Sequence, residues 1–461
     1  MLLIFVHGWS VTDTDTYGGL PEALAQAGAA AGLDLEVRHL YLGRYVSFHD
    51  EVTIDDVGRA FDNALRQQVP NNANARRKFS CITHSTGGPV VRNWVERFYG
   101  AGGLDRLPLQ HLVMLAPANF GSALAQLGKS RLSRIANFFQ GVEPGQRILD
   151  WLELASPEQS DLNVAWMSYR SPENGFYPFV LSGQAIDSKL YDHLNSYTGE
   201  TGSDGVVRLA AANMNYRRVE LVQTEEVLRQ RPPTLRMVVK TSVRSPRLPL
   251  GIVPDAAHSG KKIGIMRSVT PENAADKPVF DWILRCLKVD GEAAYAALGD
   301  ELAELSQGVQ AREGVPRCAM VVFHIHDDQG RPVTDYDLLL LAGRDYSPDV
   351  LPKGFFVDRQ RNRRAGNCLT YYLDHDRMST IPGGALGFRL TARPERGFSH
   401  LVAGEFRSED IPLDRILVAN ETCLVDMELR RVVDEGVFRL SPATEPRRSF
   451  KKDKPSGTGV P

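Results

Sequence analysis

The chain has 461 residues, 43% of them apolar and 24% charged, with a net charge of -2. That length exceeds one domain of ordinary size, so two domains joined by a connector are expected. The near-neutral balance leaves no electrostatic footprint for a polyanion, which excludes nucleic acid as the expected partner.

The cysteines Cys81, Cys286, Cys318, Cys368 and Cys423 are scattered, with neither zinc-ligand spacing nor a disulfide framework, and fit synthesis in a reducing compartment. The apolar opening, residues 1–6, is too short for a signal-peptide core, and no run of about 18 apolar residues marks a spanning helix. Cytoplasmic synthesis is therefore expected.

From residue 1 to about 290, short apolar strands alternate with amphipathic stretches, which predicts an α/β fold: a mostly parallel sheet flanked by helices. Strands are expected at 2–6, 35–41, 79–83, 111–116, 177–182 and 235–241. Helical spacing covers 53–69 and 88–99. Residues 122–166 break this rhythm, with helix-like segments at 124–139 and 147–154 and no strand between them. They read as a helical lid inserted over the active site. An Ala- and Glu-rich helix follows within a linker at 291–314. From 315 to 445, closely spaced β-like runs separated by Gly, Pro and Asp predict a C-terminal all-β, sandwich-like domain. The tail, 446–461, is basic and rich in Ser, Gly and Pro, a composition expected to be disordered.

The strongest chemical signal is Thr83-His84-Ser85-Thr86-Gly87-Gly88, between an apolar strand and a helical pattern. A serine on a sharp strand-to-helix turn stands clear of the sheet, and small neighbours allow the turn. The helix N-terminus behind it favours developing negative charge. Ser85 is thus the candidate nucleophile. An oxyanion hole needs two backbone N–H groups, one from the residue after the nucleophile and one from the loop after an early strand. Thr86 and Trp9, in His7-Gly8-Trp9-Ser10, are the candidates. An acid and then a base must follow in the chain. Asp204, in Gly202-Ser203-Asp204-Gly205, is favoured over Asp187 and Asp192 because small residues flank it. His258, in Ala257-His258-Ser259-Gly260, is in the right order for the base, whereas His193 precedes Asp204.

These segments, with Ala116-Pro117-Ala118-Asn119-Phe120-Gly121-Ser122, resemble the α/β-hydrolase lipases and the related hydrolases of phospholipids and lipid anchors. The resemblance covers residues 1 to about 290. It implies a lipid or phospholipid ester as substrate, hydrolysis through an acyl-enzyme without a cofactor, and His84 and Phe120 beside the substrate. Thr83 departs from the family pattern, which usually has a small residue there, so the elbow must accept a β-branched side chain. A lipase-like domain followed by a β domain is also similar to phospholipase effectors of type VI secretion, which implies export and a secretion or immunity partner.

The same triad can serve a thioesterase, an amidase or a small-ester carboxylesterase, and the frame alone can serve as a binding module. His324, His326, Asp327 and Asp328 fit a strand followed by a turn, so no metal is expected. Arg359, Arg361, Arg363 and Arg364, with the basic tail, are candidate peripheral contacts for anionic headgroups.

Overall fold

The computed structural model describes residues 1–7, 16–44, 49–69, 71–72, 75–127, 145–186, 201–312, 314–393, 399–410 and 416–433. The first strand, β1 (Leu2–His7), is buried along its whole length. Its unbroken apolar run suits a strand covered by helices on both faces. Helix α1 (Leu20–Ala30) leads to β2 (Glu36–Tyr41), and α2 (Ile54–Gln68) follows. A capping box opens α2: Thr53 Oγ1 accepts from the Asp56 amide at 3.3 Å, and Asp56 Oδ2 accepts from the Thr53 amide at 3.0 Å. Ile54, Val57, Phe61, Ala64 and Leu65, at helical spacing, form its buried face. Next come β3 (Phe79–His84), α3 (Gly87–Phe98) and β4 (Leu109–Leu115). Helices α4 (Gln146–Leu152) and α5 (Pro157–Trp166) precede β5 (Tyr177–Ser182).

The chain then forms a long hairpin, β6 (Tyr216–Gln230) and β7 (Pro233–Arg244), before β8 (Leu250–Ile252), α6 (Pro278–Leu287) and α7 (Glu292–Gln310). The first sheet has the order β8-β5-β4-β3-β1-β2, and every pairing in it is parallel. This is the expected parallel sheet with flanking helices. One strand is corrected. Residues 235–241, expected as a sixth strand of this sheet, lie in β7 and belong to the second sheet. Arg236 and Lys240 interrupt that run, whereas the inner strands β1, β4 and β5 of the parallel sheet are largely apolar and buried on both faces.

The second sheet comprises the hairpin and β9 (Cys318–Asp327), β10 (Tyr336–Ala342), β11 (Phe356–Arg361), β12 (Cys368–Asp374), β13 (Leu386–Ala392), β14 (Ala403–Arg407) and β15 (Thr422–Leu429). Its order is β10-β13-β14-β7-β6-β15-β9-β12-β11. Strand β9 is buried on both faces. Ala319, Val321, Phe323 and Ile325 enter the core of the β domain, while Met320 and Val322 join the core shared with the parallel sheet and its helices. Phe323 packs edge-on against Phe388 of β13, with ring centroids 5.0 Å apart, although four strands separate the two in the sheet. The sheet therefore curls around its own core.

Polar contacts join the two domains. His324 Nε2 lies 3.0 Å from Ser160 Oγ on α5, and its Nδ1 lies 3.3 Å from Asp426 Oδ1. Asp426 Oδ2 also accepts from Arg218 Nε at 2.7 Å. Burial pushes the His324 imidazole down, but the hydrogen bonds and charges of Asp426 and Cys368 prevail and hold it up at about 9. A folded-state value above the ordinary one stabilises fully below about pH 6.5, and that contribution is lost as pH rises through about 9. Melting temperature should thus fall between pH 6.5 and 9.5 more steeply for the natural chain than for His324→Gln. Parallel curves would remove the contact from the stability account.

Arg359, Arg361, Arg363 and Arg364 are all exposed, and three of them also make contacts within the protein. Arg363 donates from its amide and from Nε to Glu153, at 2.8 and 3.1 Å, and Arg364 pairs with Glu158 at 3.6 Å. Asn362 Nδ2 donates to the Leu154 carbonyl at 3.1 Å, and the Arg361 guanidinium stacks on Tyr336. This loop is engaged by the segment after α4. Arg359 is exposed, and the tail lies outside the described residues. His326 Nδ1 contacts the Asp327 carbonyl at 3.0 Å, and Asp327 Oδ1 accepts from the amides of Gln329 and Arg331, which closes the expected turn. No helix among the described residues is long and apolar enough to cross a membrane.

Candidate active site

Strand β3 ends at His84 and α3 begins at Gly87, so the reversal falls on Ser85, whose φ is 52°. A non-glycine residue in this region costs about 1–3 kcal/mol and persists only where its surroundings hold it. Here the Ser85 amide donates to the Leu115 carbonyl at the end of β4, at 3.0 Å. The helix runs close under the turn. A Cβ on Gly88 would lie 3.0 Å from Pro117 Cβ and 3.2 Å from the Met114 side chain. A Cβ on Gly87 would lie 3.3 Å from Thr83 Cβ. The bare backbone of Gly87 therefore makes room for the β-branched Thr83, the one departure from the family pattern.

His258 follows β8, with its backbone amide donating to the Asp204 carbonyl at 3.0 Å. Its Nε2 is 3.1 Å from Ser85 Oγ, and its Nδ1 is 2.9 Å from Asp204 Oδ2. Asp204 is buried, and its other oxygen, Oδ1, accepts from the amides of Val206 at 3.0 Å and Val207 at 2.8 Å. Sequence reading did not identify these two donors, because their role depends on the backbone of a tight loop rather than on side-chain type. The three side chains thus form one continuous hydrogen-bonded row. His84 stands behind it, with Nε2 2.9 Å from the His258 carbonyl and its ring 4.6 Å from the His258 ring. Burial and the neighbouring His258 push the His84 imidazole well down, so it is neutral and Nε2–H donates to that carbonyl. The contact is made to His258 rather than to open space.

Ser85 and Thr86 line a small pocket with Ala118, Ser122, Leu124, Ala125, Leu149, Leu152, Val206 and Val207. Most of these groups are apolar, and five come from segment 122–166. Phe120 is placed elsewhere: it is buried against Tyr216, with ring centroids 5.1 Å apart, and its amide donates to the Ala211 carbonyl. His7 is buried under the Tyr41 ring, with Nε2 2.9 Å from His39 Nδ1. Burial, and then the adjacent His39, hold its imidazole down at about 3, so it is neutral. Trp9, the other oxyanion candidate, and the rejected Asp187, Asp192 and His193 lie outside the described residues, as does segment 128–144 of the insertion.

The parallel sheet, the strained serine between strand and helix, and the hydrogen-bonded histidine and aspartate define an α/β-hydrolase. No family model matches the chain, and no curated protein does. Among solved structures, phospholipase PlaB from Legionella pneumophila is 45% identical, with 99% of this chain and 98% of that chain covered and a TM-score of 0.87. A structure of PlaB from the same organism in complex with thio-NAD is 44% identical, with 99% of each chain covered and a TM-score of 0.86. The chain belongs to the PlaB phospholipase family.

Proposed function

We propose that this protein is a serine phospholipase that cleaves carboxylic esters of lipids through Ser85, His258 and Asp204. The observation that carries the proposal is the row of contacts at 3.1 and 2.9 Å beside an apolar cavity. In this reading His258 Nε2 takes the Ser85 proton as Oγ attacks the ester carbonyl carbon. The amides of Trp9 and Thr86 hold the oxyanion. Collapse of the tetrahedral intermediate expels the lysolipid alcohol, to which His258 returns the proton, and leaves an acyl-serine. Water, deprotonated by His258, then releases the fatty acid and restores Ser85. Asp204 keeps Nδ1 protonated and Nε2 free to act as base.

Within the proposal, residues 1–290 are the catalytic domain, apart from the hairpin β6–β7 that it lends to the second sheet, and 122–166 its lid, a role supported by Leu124, Leu149 and Leu152, which line the cavity. The linker is 291–314, the β domain 315–445 and the tail 446–461. Export, and the secretion or immunity partner it brings, rest on domain order alone; retention of the protein in secretion-competent cells would remove them. The substrate assignment is tested with phosphatidylcholines and p-nitrophenyl esters graded in acyl length. The cavity's apolar walls favour long chains, so kcat/KM should rise by at least tenfold from butyryl to palmitoyl, since each buried CH₂ adds about 0.8 kcal/mol until the cavity is filled. A maximum at short chains would make this a small-ester enzyme on the same triad.

A further inference from the structure

The loop that carries Asp204 is anchored by the other domain. Residues Ser203 and Arg208 pair across the loop as an antiparallel bridge, and the Leu209 amide donates to the Gly202 carbonyl at 3.0 Å, which closes the loop at its base. At one end, the buried Tyr372 of β12 donates its hydroxyl to the carbonyls of Thr201 at 3.0 Å and Gly202 at 3.3 Å. Gly202 has φ +76°, and a Cβ there would lie 2.6 Å from Tyr372 Oη and 3.3 Å from Cys318 Sγ on β9. At the other end, Arg208 is 1% exposed, with its guanidinium 4.2 Å above the Tyr372 ring and paired with Asp358 of β11. A buried guanidinium is costly unless its charge is matched, so the pair fixes Arg208 in one place. Just beyond the loop, Thr422 Oγ1 donates to the Ala210 carbonyl at 2.8 Å.

These contacts converge on the segment bearing the acid of the proposed triad, two to four residues on either side of it. We propose that the C-terminal β domain is a working part of the active site. Tyr372 and Asp358 are positioning residues that act through Thr201, Gly202 and Arg208 to hold Asp204 against His258. The inference rests on the triad reading and assigns the β domain a role in turnover itself.

The test is a double-mutant cycle on the full chain, with an activated long-chain ester as substrate. Tyr372→Phe and Asp358→Asn should each lower kcat by roughly 5–30-fold with KM within about twofold. In an Asp204→Asn background, where there is no carboxylate left to position, either change should cost less than about twofold. Arg393→Ala, which removes an exposed β-domain contact to Asp335 and Asp337, should leave kcat unchanged. Losses that multiply fully in the Asp204→Asn background would overturn the proposal, since the residues would then act on something other than Asp204. Unchanged kcat in the single variants would overturn it too. Should Tyr372→Phe fail to fold, Asp358→Asn, on the edge strand of the sheet, decides alone. A fully active Asp204→Asn enzyme would instead refute the triad reading, an outcome distinct from failure of the clamp.

Discussion

Ser85→Ala is expected to reduce fatty-acid release from a long-chain phospholipid by roughly 10⁴- to 10⁶-fold. The hydroxyl is the one group of the site that would bond to the substrate, and His258 Nε2, 3.1 Å away, has no other proton to take from the enzyme in the first step. Melting temperature should change little, because alanine inherits the same φ of 52° and loses one half-buried hydrogen bond. Steady-state release from palmitoyl phosphatidylcholine vesicles, read beside a melting curve, checks both points. Retention of more than about a hundredth of the activity in a folded variant would mean that another nucleophile does the chemistry.

Asp204→Asn is expected to cost about 10⁴-fold in kcat while keeping the geometry. The reason lies in the two oxygens of Asp204. Oδ1 accepts from the Val206 and Val207 amides, and Oδ2 faces His258 Nδ1. In the asparagine variant the carbonyl oxygen stays with the two backbone donors, since an NH₂ group there would oppose them. The NH₂ is therefore directed at Nδ1, which must then accept. That choice moves the imidazole proton to Nε2, and a protonated Nε2 cannot take the proton of Ser85. Single-turnover kinetics on the variant give the number. A loss below tenfold would show that Asp204 does not set the tautomer.

The elbow was legible because its requirements are local. A strand, a small-residue turn and a helix follow one another within residues 79–98, and Thr83 and Gly87 compensate each other four residues apart. The pairing of Asp204 with His258 was legible from chain order and from the glycines around Asp204, although the two lie 54 residues apart in sequence. The placement of residues 235–241 was not, because a β run does not name its partners. Arg236 and Lys240 were a signal against an inner strand of the parallel sheet, although its edge strand β2 also carries charges, Glu36 and Arg38. The arginines at 359–364 are exposed, as a charge run suggests, but their contacts with Glu153 and Glu158, and that of Asn362 with the Leu154 carbonyl, were hidden because those partners lie about two hundred residues earlier. The clamp on the acid loop was hidden for the same reason. Tyr372 reads in sequence as one more alternating strand residue, and only the meeting of the domains gives its hydroxyl a target.

The central claim, that Ser85 attacks a lipid ester, is tested most directly by a serine-reactive phosphonate bearing a long alkyl chain. Peptide mass spectrometry of the inactivated enzyme should place one adduct on Ser85, and fatty-acid release from phospholipid vesicles should disappear in proportion to labelling. An adduct on another residue, or undiminished release from fully labelled enzyme, would contradict the assignment.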